Sequence, residues 1–488
     1  MAGYKITFLP DGKQADVSAS VCLNDAAAQV GIDIVTPCGR KQLCHGCRIG
    51  VNEGKVAGVK ENSGLYLSCS TFPRSDLVVY VPESSRRIDP GYLSRIEIID
   101  LRPDPPSMEN LSDDDPLRLT ALGMAVDFGQ SMVTGKLMAL FSGETLGATV
   151  RANPFSEVGD NRKEAFKFLN QMVHELTRKA EVDRGDLIDV TLVCNPEIES
   201  IISGDKSDRD LSLREIGIES QKDGILRIIN GGSDFIGGDV VAGMVASRVC
   251  ESNEVDLFVE IGPRVSIIAG NSNRLTSLSF DSGGVLNGYG YSHAMRNMPG
   301  AIDGVAIKDD VLLNTVFSAK PSGICPAGLI SAVAELMRQG LMNDKGRMID
   351  REKLPYFAYE ILRRIKEEGD EKRFVLWTDA DVEIALTERD AQMLMATASK
   401  LKTEIERLID LGGFHRRDIE KMVFSGGLGN SARAADLARF GIILPDEEDK
   451  VRFIGNGALD GAVMAMLSRE ESGKIGKIRD LLLSGESA

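Results

Sequence analysis

The chain has 488 residues, 43% of them hydrophobic and 27% charged, the composition of an ordinary globular protein long enough for several domains. Its formal net charge of −16 excludes nucleic acid as an expected partner, since phosphates would be repelled. No apolar run reaches a membrane span and the start, Met1-Ala2-Gly3-Tyr4-Lys5-Ile6, lacks an apolar signal core, so the expected compartment is the cytoplasm.

Tyr4 to Phe8 alternates as a strand, Asp11-Gly12 reads as a hairpin turn, and Ala15 to Val17 returns. Asn24 or Asp25 is placed to cap a short helix that runs through Val30 and stops at Gly31. Cys38, Cys44, Cys47 and Cys69 follow with the spacing C-x5-C-x2-C-x21-C. Three of these thiols share the loop from Thr36 to Arg48, and the fourth precedes a strand from Asp76 to Val81. A [2Fe–2S] rhomb needs two sulfurs per iron, which a tight loop and one distant ligand supply, although the plant-type pattern has one residue fewer in its first gap. Zinc is the main competitor, but structural zinc sites usually bring two short Cys/His pairs and this chain has one. Disulfides are not expected in a long chain without secretion signals. His45 lies between two ligands, where a Rieske centre would use it, yet four thiolates already complete the set and the expectation is an exposed loop residue. Cys22, Cys194, Cys250 and Cys325 are scattered and read as small core residues. Strand, strand, helix, cluster loop, strand is the order of a ferredoxin-like β-grasp domain.

From Pro82 to Pro116 the chain turns Pro- and Asp-rich, with only Tyr92 to Leu101 able to form a strand or interface segment; this predicts a linker, with a loop packed on the body as the alternative. Beyond it, Leu122 to Phe128 is an apolar strand ending Val-Asp-Phe-Gly, followed by a strand from Met132 to Phe141. Leu257 to Ile261 ends Val-Glu-Ile-Gly and is followed by Val265 to Ala269. Asp127 and Glu260 thus occupy matching strand ends before a glycine turn. Two such hairpins facing a cleft are the phosphate loops of the actin-like ATPase fold, where turn N–H groups hold phosphate oxygens and carboxylates position Mg²⁺ and water. The strand Lys421 to Phe424 runs into Ser425-Gly426-Gly427-Leu428-Gly429-Asn430 and a helix from about Ala432. Phe453-Ile454-Gly455-Asn456-Gly457-Ala458-Leu459 again ends a strand and opens a helix. Amphipathic helices from Leu329 to Arg338 and from Asp390 to Leu411 complete an α/β body in two similar halves.

At this point the chain resembles a family, the ATP-dependent reductive activators of corrinoid proteins, which join a [2Fe–2S] domain to an actin-like (ASKHA) ATPase body. The segments that carry the resemblance span nearly the whole chain. They are Ala152-Asn153-Pro154-Phe155 with Gly159-Asp160, Gly237-Gly238-Asp239-Val240-Val241-Ala242-Gly243, and Tyr291-Ser292-His293-Ala294-Met295-Arg296 with Pro299-Gly300-Ala301-Ile302-Asp303. Gly323-Ile324-Cys325 with Gly328-Leu329-Ile330 and the two glycine turns above complete the set. The resemblance implies reduction of an inactive Co(II) corrinoid to Co(I), with a methyltransferase-associated corrinoid protein as partner, a ferredoxin or flavodoxin as external donor, and a homodimer. It implies Cys38, Cys44, Cys47 and Cys69 as cluster ligands and Mg-ATP as the second cofactor. Asp127 and Glu260 would be catalytic, and Gly129, Gln130, Ser131, Gly262, Arg264, Gly426, Gly427, Gly429, Asn430 and Asn456 would bind the nucleotide.

Departures from the family pattern fall in the nucleotide loops. Gln130-Ser131-Met132 stands where a threonine run is usual, and Glu260-Ile261-Gly262-Pro263-Arg264-Val265 replaces Asp-Ile-Gly-Thr-Asn-Gly. Pro263 removes an N–H donor, while Arg264 offers a guanidinium that can grip phosphate. Pro326-Ala327-Gly328 replaces a Gly-Ser-Gly, and Asn287 replaces the acid before Gly288. Three readings follow: an ATP-driven activase, a [2Fe–2S] electron-transfer protein whose body docks a partner without hydrolysing ATP, and a redox-regulatory scaffold. The expected layout is a ferredoxin-like domain over 1–82, a linker over 83–118, the two halves of the body over 119–255 and 256–478, and a tail over 479–488.

Overall fold

Ile6 and Phe8 alternate with more exposed neighbours along β1 (Gly3–Leu9), so one face of that strand is buried. In the computed structural model the described residues are all except 1–2, 11, 31, 33, 35–46, 59, 61–63, 82–100, 110, 113, 130–131, 154–161, 204–209, 221, 234, 263, 298, 309, 317–318, 355–358, 370, 380–381, 429–431 and 486–488. β2 (Lys13–Ser18) returns antiparallel after Gly12, whose φ of 68° suits a residue without a Cβ. Next come α1 (Leu23–Gln29), β3 (Arg48–Glu53), β4 (Val56–Ala57), β5 (Tyr66–Leu67), β6 (Phe72–Pro73) and β7 (Leu77–Tyr80). The five-stranded sheet has the order β2-β1-β7-β3-β5, with β1 and β7 parallel. α1 lays Leu23, Ala26 and Ala27 on Ile6, Phe8, Ile49 and Val79, the β-grasp arrangement expected from the element order. The helix starts earlier than its polar residues suggest. Its N-cap is Cys22, without a side-chain cap bond, and Asn24 is buried inside it, donating to the Ile34 carbonyl at 3.1 Å. That tertiary bond satisfies an amide that would otherwise be buried alone, and outweighs local capping.

The body begins with α2 (Leu117–Thr120), β8 (Leu122–Phe128), β9 (Met132–Ala139), β10 (Thr145–Ala152), α3 (Arg162–Ala180), β11 (Leu187–Cys194), α4 (Pro196–Ser203), β12 (Leu211–Ser212), β13 (Ile225–Ile229) and α5 (Gly238–Ser247). After it come β14 (Val255–Ile261), β15 (Arg264–Asn271), β16 (Arg274–Asp281), β17 (Ala301–Ile307), β18 (Val311–Thr315), β19 (Gly323–Ile324), α6 (Pro326–Arg338) and α7 (Tyr359–Leu362). The chain ends with β20 (Ile365–Glu368), β21 (Glu371–Thr378), β22 (Glu383–Thr387), α8 (Glu388–Leu411), β23 (Ile419–Gly426), α9 (Ala434–Arg439), β24 (Val451–Phe453), α10 (Gly457–Leu467) and α11 (Arg469–Ser484).

One sheet has the order β10-β9-β8-β11-β13-β12, the other β16-β15-β14-β23-β24. Each is an antiparallel meander whose first strand is continued by parallel neighbours: β8 by β11 and β13, β14 by β23 and β24. Every residue of β11 is buried, as a strand covered on both faces requires. α5 follows the last parallel strand of the first set and packs Val240 and Met244 with Phe258, Ile268 and Val423 of the second sheet. α10 holds the matching position after β24 and packs Leu459 and Val463 with Ala125 and Leu140 of the first. The actin-like duplication is therefore present in topology.

Two units divide the chain: residues 1–88 with 292–388, and 89–291 with 389–488. Residues 292–388, expected within the second half of the body, carry two three-stranded sheets of their own, β18-β17-β19 and β20-β21-β22. α6 begins at Pro326, a residue whose fixed φ suits the first helical position. Of the expected linker, residues 82–100 lie outside the described residues. The described residues of 101–117 are packed on the body: Asp104 N–H bonds the Leu467 carbonyl at 2.8 Å, Arg469 pairs with Asp104 and Glu109, and Met108, Leu111 and Leu117 join the core. Among the described residues no helix is long and apolar enough to cross a membrane.

Candidate functional site

Two sites follow from the sequence, one in each unit. In the first, Cys47 immediately precedes β3 and Cys69 sits in a short turn after β5, and pairing of Arg48 with Leu67 brings the two ends together. Their sulfurs are 3.4 Å apart, too far for a disulfide and close enough to share one metal between them. Cys47 is 2% exposed, and Cys69 is half-buried. The pair fits one corner of a [2Fe–2S] ligand set. Cys38, Cys44 and His45 lie outside the described residues. Cys22, Cys194, Cys250 and Cys325 are all buried, as expected of core residues.

The second site lies where the two meanders end. Asp127 is the penultimate residue of β8, and Glu260 holds the same place on β14. Register sets Asp127 beside Val193 and Glu260 beside Ser425 on the parallel neighbours. Asn456 caps α10: its side-chain oxygen accepts from Leu459 N–H at 2.9 Å, and its amide donates to Asp127 Oδ2 at 2.7 Å. One residue thus satisfies a helix end and fixes a carboxylate contributed 329 positions away. Asn153 ties the loop after β8 by donating to the Gly129 carbonyl at 2.8 Å.

Glycines let these parts approach. Gly426 has a φ of 83°, and a Cβ there would lie 2.3 Å from the Ile261 carbonyl oxygen and 2.5 Å from Glu260 Oε1. Gly461 of α10 lies so near α5 that a Cβ would be 1.9 Å from the Ala242 carbonyl oxygen. Close helix contact draws the N-termini of α5 and α10 toward the strand ends, where their dipoles favour anions.

Electrostatics reveal a third carboxylate, Asp239, in the first turn of α5. Burial pushes Asp127 up to about 7, the Asn456 bond opposes this, and the nearby Asp239 charge adds to it. Asp239 is pushed up to about 6, again chiefly by burial. Glu260 is raised well above the usual carboxylate range by burial and by the charges of Asp239 and Asp127, against a hydrogen bond with Ser425. The Ser425 hydroxyl is directed at the Gly455 carbonyl, 3.3 Å away, so a neutral Glu260 can in turn donate to Ser425. Glu260 Oε2 is buried without a hydrogen-bond partner among the described residues. Among the described residues no three ligands are close enough to hold a metal directly.

Of the predicted nucleotide residues, Gly129, Gly426, Gly427 and Asn456 meet Asp127 and Glu260 here, and Gly262 follows the end of β14. Gln130, Ser131, Gly429 and Asn430 lie outside the described residues. Arg264 is exposed and rests over the Phe235 ring at 6.0 Å. Asp239 received no role from the sequence; it stands two residues after Gly237, the N-cap of α5, whereas Asn456 is itself the N-cap of α10. The paired glycine before an acid at a helix start was the local signal that could have found it.

Residues 6–74 match the 2Fe-2S iron-sulfur cluster binding domain, and residues 254–485 match the C-terminal domain of RACo, the ASKHA domain. The chain resembles the corrinoid reductive activators. A curated relative, the corrinoid activation enzyme RamQ of Eubacterium limosum, is 28% identical over 245 residues, which are 49% of this chain and 41% of that one. The match thus spans less than half of that relative's length. A solved reductive activator for corrinoid, iron-sulfur protein superposes with a TM-score of 0.67 at 22% identity, covering 99% of this chain and 95% of that one, and so shares the fold.

Proposed function

We propose that the chain is a reductive activase, passing one electron from a [2Fe–2S] cluster to the Co(II) of a corrinoid protein to give Co(I), with Mg-ATP hydrolysis coupled to the transfer. The observation that carries the reading is the convergence of Asp127, Asp239 and Glu260 between two helix N-termini. Three acids whose charged forms are disfavoured in isolation suit a divalent cation and a phosphate chain. When bound, the cluster supplies a one-electron carrier and Mg-ATP supplies free energy. Cys38, Cys44, Cys47 and Cys69 would hold the cluster, of which Cys47 and Cys69 already stand side by side. Asp127, aimed by Asn456, would orient water at the reacting phosphate. Gly426 and Gly427 would let the backbone approach the nucleoside. An external donor such as a ferredoxin or flavodoxin would replace each electron.

A second reading is electron transfer or redox regulation by docking without hydrolysis. It is favoured by Arg264, which rests on Phe235, in a hairpin where Pro263 lacks a donor N–H. Anaerobic mixing with a Co(II) corrinoid protein, a chemical reductant and nucleotide separates the two. The activase reading expects Co(I) absorption to grow only with Mg-ATP, and phosphate release to rise when the corrinoid protein is added. Co(I) formation that ignores ATP, or no ATP binding at millimolar concentration, would leave the docking reading in its place.

A further inference from the structure

α3 buries Ala165, Leu169, Met172, Val173 and Leu176 in the core of the first half. Its opposite face carries Lys163, Lys167, Gln171, His174 and Arg178, all exposed, at the three- and four-residue steps that align one side of a helix. Arg151, Lys179 and Arg184 flank this stripe around a shallow concavity. Among the described residues Glu175 is the only acid lining it, and it is already held by Arg151 and by Lys179. Lys163, Lys167 and Arg178 have no ion pair among the described residues. In a chain of net charge −16, a helix face whose exposed cations outnumber its acids, Glu164 and Glu175, runs against the composition.

We propose that this face of α3 docks an acidic surface of a partner protein. Its length argues for a macromolecule: from Lys163 to Arg178 is about 22 Å at about 1.5 Å per residue, far beyond one phosphate-sized anion. Its context argues for a protein over nucleic acid. A duplex carries unbroken charge and meets the repulsion of the whole acidic chain, whereas a protein can offer carboxylates to this face alone. The inference does not depend on the activase reading. Such cations mainly set encounter rate and salt dependence, so the partner would bind more weakly as salt rises.

The test uses the full-length holoprotein and fluorescently labelled poly-L-glutamate as the probe, read by anisotropy. K167E/R178E should weaken binding by about tenfold or more, with K167Q/R178Q intermediate, because charge rather than packing is at stake. Both positions are on the solvent side, so circular dichroism should match the parent. Equal affinity of parent and K167E/R178E would overturn the proposal. So would tighter, equally variant-sensitive binding of duplex DNA, which would assign the face to nucleic acid. A change of oligomeric state in K167E/R178E by light scattering would also overturn it, assigning the face to a second copy of this chain.

Discussion

Replacing Asp127 by asparagine should stabilise the protein while removing its turnover. Folded Asp127 binds its proton more tightly than the unfolded chain does, at about 7 against 3.8. That difference corresponds to about 4 kcal/mol at about 1.4 kcal/mol per pH unit. Asp127 is half-buried, so solvent screening brings this down to about 2 kcal/mol. The sign follows from linkage. The favourable contribution is fully present below about pH 4 and is lost as pH rises through about 7, because ionisation then costs more in the folded state. The asparagine side chain keeps the shape, can still accept from Asn456 through its carbonyl, and carries no charge to desolvate. In metal-free buffer, urea unfolding should therefore show little difference between parent and D127N near about pH 4, with D127N ahead by about 2 kcal/mol at about pH 8. Added Mg²⁺ should narrow the gap by stabilising the parent alone. A gap that stays the same between those two pH values, or a D127N protein less stable at the higher one, would refute the account of Asp127 as a buried acid whose charged form is disfavoured beside Asp239.

Cys47→Ser should leave the sheet of the first unit intact but abolish the [2Fe–2S] absorption spectrum, with iron and sulfide well below about two each per chain after anaerobic reconstitution. Lys136 and Asp460 form a buried pair at 3.0 Å linking β9 to α10. Lys136→Met should cost about 3–5 kcal/mol in urea unfolding, while K136M/D460L should recover much of it, because breaking the pair leaves one buried charge and removing both does not. Gly461→Ala should cost about 1–3 kcal/mol and weaken nucleotide binding, since its Cβ would meet backbone, which cannot rotate away.

The sequence by itself determined the elements and most of the chemistry. Strand periods at Tyr4–Phe8 and Leu122–Phe128, and the acid-before-glycine repeat at Asp127 and Glu260, are local patterns that backbone geometry enforces wherever the chain folds. The cysteine spacing is equally local, because a loop can only deliver thiols that it carries. Composition marked 82–116 as linker-like, but composition does not know that Met108, Leu111 and Leu117 find a core to join. Nor could local pattern show Asn24 leaving its capping role, or Arg264 resting on Phe235. Only tertiary structure brought Asn456 onto Asp127, and only the crossing of α5 and α10 at Gly461 set Asp239 near two other acids. Their raised proton affinities come chiefly from burial, to which the Asp239 charge adds at Asp127 and at Glu260, effects that exist only once distant segments come together.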